Sequence, residues 1–176
     1  MKKIFLLGVM LWFSLSGFAQ TQLDQFEGMD QVKSVVVNQK MFDLMAKVKM
    51  DESDQEAAHY LALLKKLTQL KLYSTVDKAT AAQMKTVFVQ YAAASKLAEL
   101  SKIVDNGKSI SLYAKPRANP SSWSELLLLV EGVAPDETVL FSLTGEIDLN
   151  EVAFLGDRLK LPGKEAIKKV VLAQKK

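Results

Sequence analysis

The sequence predicts an α+β fold in which helices pack on one face of an antiparallel sheet of about five to six strands. Strand-like and helix-like patterns mix in the first half of the chain, whereas four strand-like segments follow one another in the second half. The turns between those four segments are short, and short turns force antiparallel pairing. Helices early and a strand meander late are typical of an α+β domain.

Residues 1–19 are predicted to be a secretory signal peptide rather than part of the fold. Lys2 and Lys3 precede an apolar run over residues 4–18, and Ala19 completes the Gly-x-Ala ending that signal peptidase recognises. The run is about 15 residues long, shorter than the roughly 20 that a helix needs to cross a bilayer. We therefore expect cleavage near Ala19, a periplasmic or secreted protein, and no transmembrane segment in the mature chain.

Two strands and three helices are expected in the first half. Residues 32–37 are rich in valine and predict the first strand, after which Asn38 can cap a helix with apolar residues at helical spacing. Residues 53–56 match a capping box, so a second helix is expected to begin with Ser53 as its cap. A strand is predicted over residues 70–75. The capping-box pattern at residues 80–83 predicts that the third helix begins at Thr80.

The second half is expected to form the meander. Its strand-like segments cover residues 97–104, 109–114, 123–131 and 139–144, and a short helix follows Asp148. Asn106-Gly107, between the first two segments, is the strongest short-range hairpin signal because both residues tolerate positive φ. Residues 126–130 are apolar on both faces, which predicts a central strand covered on both sides.

The charge distribution separates a domain over residues 20–163 from a basic tail over residues 164–176. The whole chain has 23 basic and 20 acidic residues, a net charge of +3. Residues 20–163 contain 16 basic and 19 acidic residues, whereas the tail contains five lysines and one glutamate. The basic character belongs to the leader and the tail, so nucleic-acid binding is not expected of the domain.

Several ordered pieces of the chain together resemble a known family. They are Phe26-Glu27-Gly28, residues 34–37, 41–45, 64–67 and 72–75, and above all residues 124–132 followed by 143–149. Over about residues 23–159 the chain resembles the exported Bacteroidetes family catalogued as domain of unknown function 4252. The resemblance implies an envelope location and an α+β fold. It implies no activity, cofactor or ligand, so no functional positions are carried over.

Composition excludes many catalytic and metal-binding schemes. The chain has no cysteine, which removes thiol nucleophiles and cysteine–zinc sites, and its one histidine, His59, is predicted on the polar side of a helix. No Gly-x-Ser-x-Gly elbow accompanies it. Acidic residues cluster at two predicted helix starts, where they offset the helix dipole: Asp51, Glu52, Asp54 and Glu56, and Glu146, Asp148 and Glu151. We therefore expect no catalytic residue, cofactor site or metal site.

The loop between two predicted strands is a candidate partner-binding segment. It combines Tyr113, Lys115, Arg117 and Trp123, and aromatic and arginine side chains are enriched at interfaces. The alternative is a tryptophan that covers the core beside a solvated basic turn.

The tail is a candidate docking element. Lys164, Ile167, Lys168 and Val171 lie at the spacing of a short basic amphipathic helix, which suits an anionic membrane surface or a partner protein. The alternative is a terminal helix that packs on its own domain or frays.

These observations favour a non-enzymatic cell-envelope protein that binds an unknown envelope protein or envelope component. One alternative is a periplasmic hydrolase that uses carboxylates, which would require two acids converging in a cleft. Another is a carrier of an apolar ligand, which would require a cavity between sheet and helices lined by leucine and methionine.

Overall fold

The computed structural model describes residues 21–48, 54–105, 107–117, 122–133, 137–158 and 168. The helices are α1 (Thr21–Asp24), α2 (Gln39–Met45), α3 (Gln55–Leu64), α4 (Lys78–Ala94) and α5 (Leu149–Arg158). The strands are β1 (Lys33–Asn38), β2 (Leu67–Thr75), β3 (Ala98–Asp105), β4 (Lys108–Pro116), β5 (Trp123–Val133) and β6 (Glu137–Ile147). The α+β class is confirmed, and so is the predicted order of elements from β1 to α5, whereas α1 was not predicted. The predicted leader and the tail other than Lys168 lie outside the described residues.

The strands form one open antiparallel sheet in the order β1-β2-β6-β5-β4-β3. The run from β3 to β6 is the predicted meander, and β2 pairs with β6 at the end of that run. The turn between β3 and β4 contains Gly107 at φ 79°, the left-handed conformation that the hairpin signal requires. β5 lies between β6 and β4, and the five residues 126–130 are each at most 2% exposed. Its central, doubly covered position is confirmed.

Helices cover both faces of the sheet, so the prediction of helices on one face only was wrong. On one face α2, α3 and α5 lie over Leu126, Leu128 and Phe141. On the other face α1 and α4 lie over Leu127 and Leu129. The reason lies in β5 itself: successive side chains point to opposite faces, so a strand that is apolar at every position must be covered twice.

The N-termini of α2, α3 and α4 are capped by short polar side chains, but two of these caps differ from those predicted. The Asn38 Oδ1 accepts a hydrogen bond from the Met41 amide at 3.0 Å, as expected. The cap of α3 is Asp54, which accepts from the Ala57 amide, rather than Ser53, which lies outside the described residues. Similarly, α4 begins before the predicted cap Thr80, because Asp77 accepts from both the amide and the hydroxyl of that threonine.

The short helix α1 is held on the sheet by both apolar and ionic contacts. Leu23 and Phe26 are buried in the cluster beneath α1 and α4, and the Phe26 ring lies 5.8 Å from that of Tyr73. Asp24 forms an ion pair at 2.6 Å with Lys71 of β2, whose side chain is almost fully buried. The segment that contains α1 is therefore part of the packed domain.

Candidate functional site

Three strands lose their regular register at the same end of the sheet. The irregularities fall between Leu67 and Gln69 in β2, between Lys115 and Pro116 in β4, and between Trp123 and Glu125 in β5. One cross-strand row joins these positions, since Lys115 pairs with Glu125, Glu125 with Thr144, and Thr144 with Gln69. Bulges of this kind redirect side chains and end regular pairing, and they often lie beside functional sites.

These irregular strand ends line an open depression of about 550 Å³, which we call the polar depression. Its lining comprises Lys65, Lys66, Thr68, Lys115, Arg117, Ser124, Glu125, Thr144, Gly145 and Glu146. The volume lies within the usual range for small-ligand sites, roughly 300–1,000 Å³. Four cationic side chains face two carboxyl groups, and three hydroxyl groups lie among them.

The cations form two groups on opposite sides of the depression. Lys65 and Lys66 follow the last turn of α3 and lead into β2, and we call them the β2 wall. Lys115 and Arg117 lie at the end of β4 and just after it, and we call them the β4 wall. The strands β6 and β5 lie between the walls. Three strand spacings separate β2 from β4, which amounts to roughly 14 Å between backbones.

Two of the four cations have weak ion pairs. The Lys66 Nζ lies 3.5 Å from a carboxylate oxygen of Glu151, and the Arg117 Nη1 lies 3.4 Å from one of Glu146. Charge-assisted hydrogen bonds are usually about 2.7–2.9 Å long, and exposed pairs contribute little to stability. Within the described residues, neither Lys65 nor Lys115 has a carboxylate within 4.0 Å. Lys65, Lys66 and Arg117 can therefore turn toward a bound anion at low cost, whereas Lys115 also attracts the neighbouring carboxyl group of Glu125.

Backbone contacts hold each wall in place. Gly145 of β6 lies so close to the α3–β2 junction that an added Cβ would overlap the carbonyl oxygen of Lys66. The same carbonyl accepts a hydrogen bond from the Glu146 amide at 2.8 Å. On the opposite side, the Arg117 amide donates to the carbonyl of Ser122, and the Ser124 hydroxyl donates to the carbonyl of Lys115. Both walls are thus attached to the strands between them.

Glu125 connects the depression to the core. Its side chain is 8% exposed, and one carboxylate oxygen accepts a hydrogen bond from the Tyr91 hydroxyl of α4 at 2.5 Å. Burial raises the pKa of Glu125 above its ordinary value of 4.5, although the hydrogen bond from Tyr91 and the positive charges of Lys115 and Lys71 oppose that rise. The pKa of Tyr91 is also raised, chiefly by burial and then by its bond to Glu125. The pair joins α4 to β5 at the edge of the site.

The structure brings together only two of the four residues of the predicted partner-binding loop. Lys115 and Arg117 line the polar depression. The Tyr113 hydroxyl donates instead to Glu99, and its ring meets Phe88 of α4 edge-on at 5.3 Å. Trp123 packs against the core on the face of the sheet opposite to Tyr113, beside α2, α3 and α5. This placement of the tryptophan matches the alternative that was raised for it, a side chain covering the core.

Of the other residues singled out in the sequence, Glu146 lines the depression, whereas His59, Asp54 and Glu56 do not. His59 is exposed, and its ring lies 5.2 Å from that of Phe154 with a tilt of 58° between the ring planes. Asp54 is a helix cap, and Glu56 forms an ion pair with Arg158 at 2.6 Å. In the part of the chain that the structure describes, no group of three His, Cys, Asp or Glu side chains could hold a metal ion. Of the tail residues, only Lys168 is described, as helical and half-buried; Lys164, Ile167 and Val171 are not.

Sequence reasoning missed the β2 wall and the hydroxyl groups of the site. Lys65 and Lys66 resemble any exposed pair at a helix end, and Thr68 and Thr144 resemble ordinary strand residues. One signal was available for Glu125, since a carboxylate directly before five apolar strand residues needs a partner when it is buried. The partners themselves come from distant segments, and the sequence alone did not connect them.

Fold and site together define a six-stranded α+β domain with a cation-rich depression at one end of its sheet. Residues 26–155 match the model of the family described as Domain of unknown function (DUF4252), and the chain belongs to that family. Comparison with curated proteins and with solved structures returns no match. Among the described residues, no helix combines the length and apolar character needed to span a membrane.

Proposed function

We propose that this protein is a non-enzymatic binding domain of the cell envelope, which engages an envelope protein or another envelope component through the polar depression. The observation that carries the proposal is the depression itself. Irregular ends of β2, β4 and β5 form it, and it presents four cationic side chains and three hydroxyl groups. A concave site with a few convergent polar groups is suited to orienting a ligand or a partner side chain.

The envelope location is part of the proposal and rests on the predicted leader and on the resemblance to exported Bacteroidetes proteins. Expression of the full chain in a host of that group should deliver it outside the cytoplasm, with Gln20 as its new N-terminus. Cell fractionation combined with intact mass measurement tests both points. A cytoplasmic chain that retains Met1 would refute the location.

Affinity capture from native envelopes tests the role of the depression. We compare the unchanged protein with a K115E/R117E variant, which reverses the β4 wall, and with a K40E/K102E control. Lys40 and Lys102 are exposed and lie outside the depression, so the control changes net charge equally. We expect the captured component to fall at least about fivefold with the wall variant and to stay unchanged with the control, because opposite charges guide docking. Equal capture by all three proteins would exclude the depression as the binding site.

A carboxylate-dependent hydrolase is the second candidate, and one observation favours it. Glu125 and Glu146 both line the depression, and burial raises the pKa of Glu125, as is useful for a general acid. Both groups already have partners, however, since Glu125 accepts from Tyr91 and Glu146 pairs with Arg117. Hydrolysis of an envelope substrate that E125Q and E146Q each abolish would establish this candidate over simple binding.

The apolar-carrier alternative finds no support in the polar depression. That site is lined by charged and hydroxyl side chains, whereas an apolar ligand needs a largely apolar lining. The proposed membrane contact of the tail through Lys164, Ile167, Lys168 and Val171 is separate from the depression and rests on the amphipathic pattern of residues 164–176.

A further inference from the structure

The arrangement of charge within the polar depression points to the chemistry of its ligand. The β2 wall and the β4 wall each carry two cations, while the floor between them is formed by β6 and β5. Backbones on the two sides are roughly 14 Å apart, so a single negative group meets cations of both walls only when their long side chains turn inward over the floor. A ligand with separated negative groups can contact both.

Three hydroxyl groups add neutral hydrogen-bond donors and acceptors to the depression, those of Thr68 in β2, Ser124 in β5 and Thr144 in β6. The hydroxyl groups of Thr68 and Thr144 lie 2.9 Å apart, so one donates to the other and the second keeps a proton for a ligand. The Ser124 hydroxyl donates to the carbonyl of Lys115, which leaves its oxygen free to accept. Phosphate oxygens commonly accept hydrogen bonds from lysine, arginine, serine and threonine together.

We infer that the polar depression binds a ligand bearing two or more phosphate groups, which bridge the β2 wall and the β4 wall. This inference rests on the proposed binding function and specifies its ligand. All four cations are exposed, and the ion pairs of Lys66 and Arg117 are long, which leaves these side chains available for phosphate. Lys115 also attracts Glu125, but it is exposed and has no carboxylate within 4.0 Å among the described residues. Both a soluble polyphosphorylated molecule and a lipid headgroup with several phosphates have this chemistry.

Titration calorimetry on protein purified from expression of the full chain tests the inference. The probes are inositol hexakisphosphate, inorganic phosphate and citrate, the last serving as a multiply charged carboxylate. Bridging predicts that inositol hexakisphosphate binds about tenfold or more tightly than inorganic phosphate, since the second contact becomes intramolecular. Citrate binding as tightly as inositol hexakisphosphate would overturn the assignment to phosphate.

Two matched variants test whether the walls act together. K65Q/K66Q removes the β2 wall, K115Q/R117Q removes the β4 wall, and K40Q/K102Q removes the same charge elsewhere. Each wall variant should lose about tenfold affinity for inositol hexakisphosphate but only about twofold for inorganic phosphate, since one wall still binds a single group. A loss of similar size in the control would mean general charge attraction and would overturn the site.

Folding and the source of the phosphate are checked alongside. The substituted side chains are exposed, so the thermal unfolding temperature of each variant should match that of the unchanged protein. If a double variant fails to fold, the single variant K115Q replaces it in the binding measurements. Sedimentation with cardiolipin vesicles, but not with phosphatidylcholine vesicles, would assign the phosphates to a lipid. Binding of inositol hexakisphosphate without sedimentation of the protein on cardiolipin vesicles would assign the phosphates to a soluble ligand.

The two proposals fail in different ways. If envelope capture depends on the β4 wall but inositol hexakisphosphate binds no better than citrate, the phosphate assignment is wrong and the binding function remains. If capture is independent of the wall, the proposed function itself is wrong.

Discussion

At the residue scale, Glu125 shows how a single side chain connects stability with the candidate site. Its carboxyl group is nearly buried, its hydrogen bond to Tyr91 joins β5 to α4, and it also lines the polar depression. Burying a carboxyl group favours its neutral form, because the charged form loses more hydration. The residue therefore couples proton binding to folding.

Glu125 should make the protein less stable as pH rises. Its pKa is raised in the folded state, so the folded protein binds this proton more tightly than the unfolded chain does. The resulting stabilisation is complete below the ordinary pKa of 4.5 and is lost as pH rises through the folded pKa. E125Q has no carboxyl group at this position, so this loss of stability should disappear in the variant. The difference in free energy of unfolding between E125Q and the unchanged protein should therefore shift in favour of E125Q as pH rises from acidic to neutral.

Urea unfolding at a series of pH values measures this effect. E27Q is a suitable control, since Glu27 is exposed and outside the depression. The side-chain amide oxygen that E125Q introduces can still accept a hydrogen bond from Tyr91, which limits structural side effects. Parallel stability curves for E125Q and the unchanged protein would contradict the prediction.

At the element scale, the contact between β6 and the α3–β2 junction positions the β2 wall. Gly145 adopts φ +147°, and its missing side chain leaves room for the carbonyl of Lys66. Replacing Gly145 with alanine should destabilise the protein by about 2–4 kcal/mol, combining backbone strain with overpacking. Thermal or urea unfolding measures the loss, and G145A should also weaken binding at the depression because Lys65 and Lys66 would shift.

Gly28 provides the matched comparison for Gly145. It also has positive φ, at +80°, but an added Cβ would meet no atom within 4 Å. G28A should therefore cost only the backbone strain, about 1–2 kcal/mol. Equal losses for G28A and G145A would show that the close contact with Lys66 contributes nothing.

At the scale of the whole molecule, the sheet has two cores rather than one. Leu127 and Leu128 are neighbours in β5 and both are almost fully buried, yet they belong to clusters on opposite faces. Each cluster is closed by its own helices, α1 and α4 on one face and α2, α3 and α5 on the other. The domain therefore depends on both layers of helices.

Alanine at either leucine should be strongly destabilising. We expect L127A and L128A each to lower the free energy of unfolding by about 2–5 kcal/mol, the usual cost of a large-to-small change in a packed core. V104A is the control, because Val104 is 73% exposed on the edge strand β3, and it should change stability by about 0.5 kcal/mol or less. A small loss for either leucine would indicate that its face is not packed, as in a sheet covered on one side only.

The sequence by itself determined the α+β class, the order of the elements from β1 to α5 and the central position of β5. These properties follow from local signals: apolar periodicity, capping side chains such as Asn38, and the Asn-Gly turn. Even the double covering of the sheet was implicit in residues 126–130, although the predicted arrangement placed helices on one face. The helix starts differed from the predicted ones because Asp54 caps α3 and Asp77 caps α4.

Only the tertiary structure decided where the candidate site lies. Lys65 and Lys66 follow the end of a helix, and Lys115 and Arg117 lie at the end of a strand about fifty residues later in the chain. The pairing of β2 with β6, of β6 with β5 and of β5 with β4 places these four residues around one depression. No local pattern encodes that meeting, because it depends on strand order, on three register irregularities and on the close approach at Gly145. Local chemistry specified the elements, whereas long-range pairing assembled the site.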